Sequence, residues 1–233
     1  MKHRIWELDA LRGICILGMV AVHLGYDLGN LYSLSFTRGF LFVQNWGGVL
    51  FLLISGICVT LGHHHLKRGL IVFACGMLCS AVTAGIVGLG FADKSLMIYF
   101  GILHCLGLCM LLWSIFRRLP VWALALTGLA VIAAGFYCNT HVVVSFPWLI
   151  GLGIVFPGFV SSDYFPLLPY LGFFLLGSAL GRSIYRAQVT YFPKTNNKTP
   201  VIRFLCSCGR ASLPIYLLHQ PVITAILTLI SLF

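Results

Sequence analysis

Charge is scarce in this chain. Of its 233 residues only 9% are charged, and just five of those are Asp or Glu. A soluble domain of this length carries about a quarter charged residues, so a water-soluble globular fold is excluded at the outset. A disulfide framework is excluded on other grounds. The nine cysteines (Cys15, Cys58, Cys75, Cys79, Cys105, Cys109, Cys138, Cys206 and Cys208) lie mostly inside apolar runs and read as small core residues rather than as bridges or a spaced metal site. The sequence also lacks a CxxC pair, a GxSxG elbow and a phosphate-binding glycine loop. No internal repeat is visible, which argues against transporters built from two related halves.

What the chain has in abundance is apolar length. Sixty per cent of its residues are hydrophobic. A hydrocarbon core of ~30 Å needs roughly 20 mostly apolar residues per helical crossing. Runs of this kind fill nearly the whole chain, at 5–28, 43–62, 69–91, 96–116, 120–137, 166–186 and 204–232. The pattern predicts an all-α polytopic membrane bundle of about seven transmembrane helices, a single domain over 1–233 with no room for a separate soluble one. The first run is not a cleaved signal peptide, being too long, carrying Glu7, Asp9 and Arg12 early, and lacking a small-residue cleavage site. The stretch 142–160 holds Pro147 and Pro157 with nine residues between them. As a helix those would reach ~14 Å at 1.5 Å per residue, so the stretch is expected to be re-entrant or interfacial.

The cations test this count. With a cytosolic N-terminus and seven crossings, Lys2, Arg4, Arg12, Lys67, Arg68, Arg117, Arg118, Arg182, Arg186, Lys194, Lys198, Arg203 and Arg210 fall on the cytosolic side. Only Arg38 and Lys94 fall outside, which is the positive-inside pattern. Making 142–160 a full crossing would move the cations of 182–210 outside and spoil it. The net charge of +10 therefore reports topology. Nucleic-acid binding is set aside because the cations are split among short loops beside membrane spans. The hydrophilic stretch 187–203, centred on Pro193 to Pro200, is then a cytosolic loop. Its Asn197-Lys198-Thr199 glycosylation pattern faces the wrong compartment.

Ionisable side chains inside a membrane are costly, and function is their default explanation. His23, His104 and His219 fall within the expected spans. Asp27 follows His23 at i+4 on the same helical face, so its carboxylate can reach the imidazole. A carboxylate on one ring nitrogen fixes the tautomer and leaves the other basic, as a general base or nucleophile requires. The plainer reading is a histidine bonded to a neighbouring helix with Asp27 marking the headgroup boundary, and the residues alone leave both open. Arg12 lies eleven residues before His23, ~16 Å along the helix axis. On spacing it is a topological anchor that pairs with Asp9 at i−3. His104, in Phe100-Gly101-Ile102-Leu103-His104, is expected a little outside the midplane of the fourth span. His219, in Leu217-Leu218-His219-Gln220-Pro221, precedes a helix-kinking proline. Singly, each reads as a satisfied interhelical histidine; together with His23 they suggest a shared polar cavity. His63-His64-His65, before Lys67-Arg68, reads as a solvated interfacial cluster rather than a metal site, and no metal is expected.

The opening Arg4-Ile5-Trp6-Glu7-Leu8-Asp9-Ala10-Leu11-Arg12-Gly13-Ile14, followed by His23 and Asp27, resembles the catalytic-domain family of heparan-α-glucosaminide N-acetyltransferase. Three further segments look like the same family: Phe100 to His104, Asp163-Tyr164-Phe165-Pro166-Leu167-Leu168-Pro169, and Leu213-Pro214-Ile215-Tyr216-Leu217-Leu218-His219-Gln220-Pro221. The Arg12–His23 spacing also resembles the first-helix motif of the larger membrane acyltransferase-3 group.

The resemblance implies transfer of an acetyl or other acyl group from cytosolic acyl-CoA, used as a co-substrate, to an amine or hydroxyl of a sugar-like or amino-sugar acceptor across the membrane. The family's essential histidine carries over to His23, which would act as base or as transient acyl carrier, with Asp27 orienting it. The family arginine carries over to Arg12, which would be among the residues that bind the acyl-CoA. The anionic CoA nucleotide would favour the basic cytosolic face, with Lys67, Arg68, Arg117, Arg118, Arg182 and Arg186 at helix ends. His104, Ser55 and His219 are candidates to bind the thioester oxygen or the acceptor, and Asp163 to bind acceptor hydroxyls or an ammonium. A homodimer is implied as well. The compact size and the lack of an evident targeting segment point to a bacterial inner membrane. Two readings from other classes stand beside this one. A small proton-coupled carrier would also place His and Asp at depth. A membrane haem protein would use histidine pairs as axial ligands, although the single histidines per span form no obvious facing pairs.

Overall fold

The structure, a computed structural model, describes residues 5–32, 35–192 and 199–231. Among them every regular element is helical: α1 (Trp6–Tyr32), α2 (Arg38–Leu61), α3 (His65–Gly88), α4 (Ile102–Phe116), α5 (Val121–His141), α6 (Leu167–Ile184), α7 (Pro200–Arg210) and α8 (Ser212–Ser231), with 3-10 turns at Lys94–Leu96 and Pro147–Leu152. Six of these helices, α1, α2, α3, α5, α6 and α8, are long and apolar enough to cross a membrane. Large apolar side chains such as Leu70, Leu78, Leu126, Leu129 and Ile226 are more than half exposed. Such surface is costly in water and matches lipid. The chain is a polytopic helical membrane protein.

Two expected spans come out differently. The run 96–116 yields only the 15-residue α4, roughly 22 Å long, because Leu96 ends a 3-10 turn and residues 97–101 are drawn off into an extended strap. There Ser162 N–H donates to Met97 O at 3.1 Å and Phe165 N–H to Phe100 O at 2.9 Å. The run 204–232 divides at Ala211 into α7 and α8. Pro214 lacks an N–H, and its ring would crowd the carbonyl of Arg210 four residues back, which favours a break there. The stretch 142–160 forms no crossing. It holds the short 3-10 turn, ended by Gly153 at φ +102, a left-handed conformation that glycine adopts freely. Of the cations assigned to the cytosolic side, Lys2, Arg4, Lys194 and Lys198 lie outside the described residues.

The helices form two compact units, Met1–Ile54 with Ala187–Phe233, and Ser55–Arg186. In the first, α1 packs on α7 and α8. Backbones meet directly at Gly13 and Gly209, where an added Cβ would overlap the carbonyls of Leu205 and Asp9; small residues allow this in membrane helix pairs. The start of α1 is pinned by the Glu7 carboxylate, which accepts from Thr190 Oγ1 at 2.7 Å and Tyr191 N at 3.0 Å. In the second unit α3 packs on α4 and α5 on α6. Gly107 lies against the Phe73 backbone, and Gly128 and Gly172 face each other's carbonyls. The prolines at 120 and 166 stand immediately before α5 and α6, where a missing N–H removes no helical bond.

Candidate active site

Within the first unit, four side chains from α1 and α8 converge. The i+4 spacing puts His23 and Asp27 on one face of α1. From α8, His219 meets His23 edge-on with ring centroids 4.9 Å apart. Its neighbour Gln220 donates from Nε2 to Asp27 Oδ2 at 2.8 Å. The carboxylate expected on His23 is therefore taken by an amide from another helix. Among the described residues no hydrogen bond joins Asp27 to His23, and both ring nitrogens of His23 are left for other partners.

Donor and acceptor roles follow from chemistry. Tyr216 O is a carbonyl and can only accept, so His219 donates to it from Nδ1–H. In the neutral ring Nε2 then carries a bare lone pair. An ionised carboxylate also only accepts, which identifies the Gln220 NH2 end and leaves Oε1 as a pure acceptor. Among the described residues His219 Nε2 and Gln220 Oε1 are buried without a hydrogen-bond partner. An unpaired buried polar atom typically costs about 1–3 kcal/mol, so such atoms mark a place built to receive hydrogens.

Arg12, on the same helix, donates from Nη2 to Ser212 Oγ at 2.8 Å, bracing the start of α8. Ser212 is buried. This is an anchoring arrangement.

In the second unit the other expected site residues take up identifiable positions. His104 lies in the first turn of α4 and is 2% exposed. Gly101 N–H donates to its Nδ1 at 3.1 Å. The remaining Nε2–H faces Ser80 Oγ at 3.4 Å, and that hydroxyl donates onward to Ile98 O at 2.6 Å. Both ring nitrogens are thus satisfied, and the ring packs between Phe73 and Phe100. Asp163 Oδ2 accepts from Ile102 N–H at 3.1 Å, capping α4 from a loop 61 residues away, where a negative charge also suits the helix dipole. Ser55 is buried on α2. His104 and Asp163 hold the entry to α4.

A second feature of this unit is a basic cavity of about 420 Å³ lined by Val59, Thr60, Gly62, His63, His65, Trp113, Arg117, Arg118 and Arg182. Of the expected cations it gathers Arg117, Arg118 and Arg182; Lys67, Arg68 and Arg186 do not line it. Arg182 is held rigidly, its guanidinium donating to Leu119 O at 2.6 Å and to Arg117 O, and lying 5.5 Å over the Trp113 ring. Cations at a helix C-terminus complement its dipole. Three guanidiniums with two imidazoles make a donor set suited to phosphate oxygens. Among the described residues no three His, Cys, Asp or Glu side chains converge as a metal site.

Gln220, Ser212, Ser80 and Trp113 escaped the sequence reading because a search for ionisable groups passes over neutral ones. Gln220 had a signal nonetheless, a second polar residue beside His219 in an apolar run. His63 and His65 had theirs in the basic pair that follows.

The chain matches the family described as "Heparan-alpha-glucosaminide N-acetyltransferase, catalytic" over residues 4–221. No curated protein and no solved structure matches it. The match runs through the α1 histidine, the basic cavity and the α8 His-Gln pair. The chain is accordingly a member of the heparan-alpha-glucosaminide N-acetyltransferase catalytic-domain family, a family of transmembrane acetyltransferases.

Proposed function

We propose that the protein transfers an acetyl group from cytosolic acyl-CoA to an amine or hydroxyl of a sugar-like acceptor on the far side of the membrane, with His23 as the base. The observation that carries this reading is the convergence of His23, Asp27, His219 and Gln220 in a chain of this family. Binding and chemistry fall to different groups. Arg117, Arg118 and Arg182 hold the phosphates of the donor, supported by His63 and His65. His23 takes the proton from the acceptor's nitrogen or oxygen as that atom bonds to the thioester carbonyl carbon. The C–S bond then breaks, and the departing thiolate recovers the proton from the imidazolium. Asp27 stabilises that imidazolium through its field. If His23 instead carries the acetyl group itself, the same residue serves as nucleophile and the acceptor attacks second. The cation distribution supports a cytosolic N-terminus, and the family match across both units supports one functional domain over 1–233.

The test is transfer from radiolabelled acetyl-CoA by the purified protein, with glucosamine as acceptor and His23→Ala as control. Transfer that vanishes in the variant supports the reading. Label retained on the wild-type protein without acceptor, and missing from the variant, selects the acyl-histidine route. Neither transfer nor binding of acetyl-CoA would overturn the proposal in favour of a small proton-coupled carrier.

A further inference from the structure

The two orphaned acceptors of α8 are neighbours in sequence, and each touches a functional residue of α1. His219 lies against His23, and Gln220 is bonded to Asp27. Neither orphan can turn itself into a donor. His219 is locked by its Nδ1–H on Tyr216 O, and the Gln220 amide is locked by its NH2 on the carboxylate. Pro221, following at once inside α8, has no N–H and removes one helical hydrogen bond here.

We propose that His219 Nε2 and Gln220 Oε1 form a two-acceptor clamp that fixes the hydrogen-donating group of the acceptor substrate beside His23, with the Asp27–Gln220 bond setting which end of the amide faces it. The inference rests on the transfer reading for the substrate's identity, but the clamp itself is a property of α1 and α8. The substrate group must bring three N–H hydrogens, as an ammonium does: one for each of these two atoms and a third for His23 to remove. With two hydrogens held and the third taken by His23, the lone pair left on the nitrogen has a defined direction, which is how an orienting site contributes to rate. A group without donors leaves two buried acceptors unpaired and is rejected, as sites built to bond a hydroxyl or amine reject analogues lacking it.

Two measurements on the full chain in lipid nanodiscs test this. In kinetics, Gln220→Met keeps the length of the side chain and removes the acceptor together with the amide that bonds Asp27. It should raise the glucosamine KM about ten- to a hundredfold, the effect of one unpaired buried partner, with the acetyl-CoA KM unchanged. His219→Gln, which keeps an acceptor near the Nε2 position, should recover most of what His219→Phe loses. A merely structural pair would instead move both KM values together, or leave His219→Gln no better than His219→Phe, and either result would overturn the clamp. The second measurement needs no turnover. In 15N spectra of histidine-labelled protein, the resonance missing from His219→Gln should show a protonated Nδ1 and a bare Nε2, and the bare nitrogen should shift on adding glucosamine. A protonated Nε2, or one indifferent to glucosamine because it holds only water, overturns the clamp. Absence of acetyl transfer together with the expected spectra would strike the transfer reading alone.

Discussion

Gln220 Nε2 donates to Asp27 Oδ2 at 2.8 Å, while His23, one turn earlier on the same face of α1, meets only the edge of His219. The carboxylate therefore acts on the imidazole through space and not through a direct bond. Asp27→Asn keeps an oxygen for Gln220 and removes the charge. Acetyl transfer is expected to fall roughly tenfold to a hundredfold, short of the ~10²–10⁴ that removal of the base itself costs. The folded protein should be recovered in normal amounts. Asp27→Ala also frees the Gln220 amide and should lower the melting temperature. Steady-state rates beside thermal melts in detergent separate the two effects.

The basic cavity makes a different demand. Arg117 and Arg118 line it without the carbonyl bonds that hold Arg182. Alanine at either position should raise the acetyl-CoA KM with little change in kcat, by about 1.5–3 kcal/mol per lost bond to a charged group, and should flatten the dependence on salt. Arg182→Ala is expected to do this and to destabilise the protein as well, because the carbonyls of Arg117 and Leu119 lose their donor. Arg182→Lys cannot restore both bonds, since a point charge does not reproduce the planar fork. Titrating acetyl-CoA against each variant, with a melt of each, checks both halves.

Much of the architecture can be read from composition, because apolar length and cation placement act over whole helices. The residues that depart from that reading are those whose state is decided by a distant partner. The start of α4 at Ile102 depends on Asp163, 61 residues on, and on Gly101, where a Cβ would collide with that carboxylate. No local pattern in 96–101 announces this. The break at Ala211, by contrast, is written in Pro214, and the apolar run masked it. At the site, His23, Asp27 and His219 stand out because they are ionisable at depth. Gln220 does not, because its importance comes from being bonded to Asp27 across 193 positions.

The capping role of Asp163 predicts a stability effect separable from activity. Asp163→Ala leaves Ile102 N–H without its acceptor and should cost about 0.5–2 kcal/mol, the usual loss on removing a helix cap. Asp163→Asn retains an oxygen and should cost less. Thermal melts of the two variants give the order; an alanine variant as stable as wild type would remove the cap from the account.

Tyr164, in the loop beside this cap, donates its hydroxyl to Ile150 O at 2.8 Å. Burial, with a smaller push from Tyr170, carries its pKa from 10.0 up to about 12. A group whose folded pKa is raised holds its proton when the unfolded chain has lost it. Its contribution is complete below pH 10 and is lost as the pH rises towards 12. Melts across that window should show a decline that is shallower in Tyr164→Phe.

The closest backbone approach joins α1 to α7, and it sets the sharpest contrast among the glycines. A Cβ on Gly209 would overlap Asp9 O, and one on Gly13 would overlap Leu205 O. These obstacles are backbone atoms and cannot rotate aside as a side chain would. The helices must separate, and α1 carries His23 and Asp27 on the same rigid rod. Gly209→Val is therefore expected to cost at least the roughly 1–3 kcal/mol of an overpacked contact and to reduce acetyl transfer by displacing α1 from α8. Gly85, on α3, has nothing within 4 Å of an added Cβ. Gly85→Ala should be neutral or raise stability by about 0.5–1 kcal/mol, because alanine loses less backbone freedom in a helix. Melting temperature and transfer rate measured on both variants decide the matter. If Gly209→Val melted as wild type does, direct contact between α1 and α7 would not be what holds the site together.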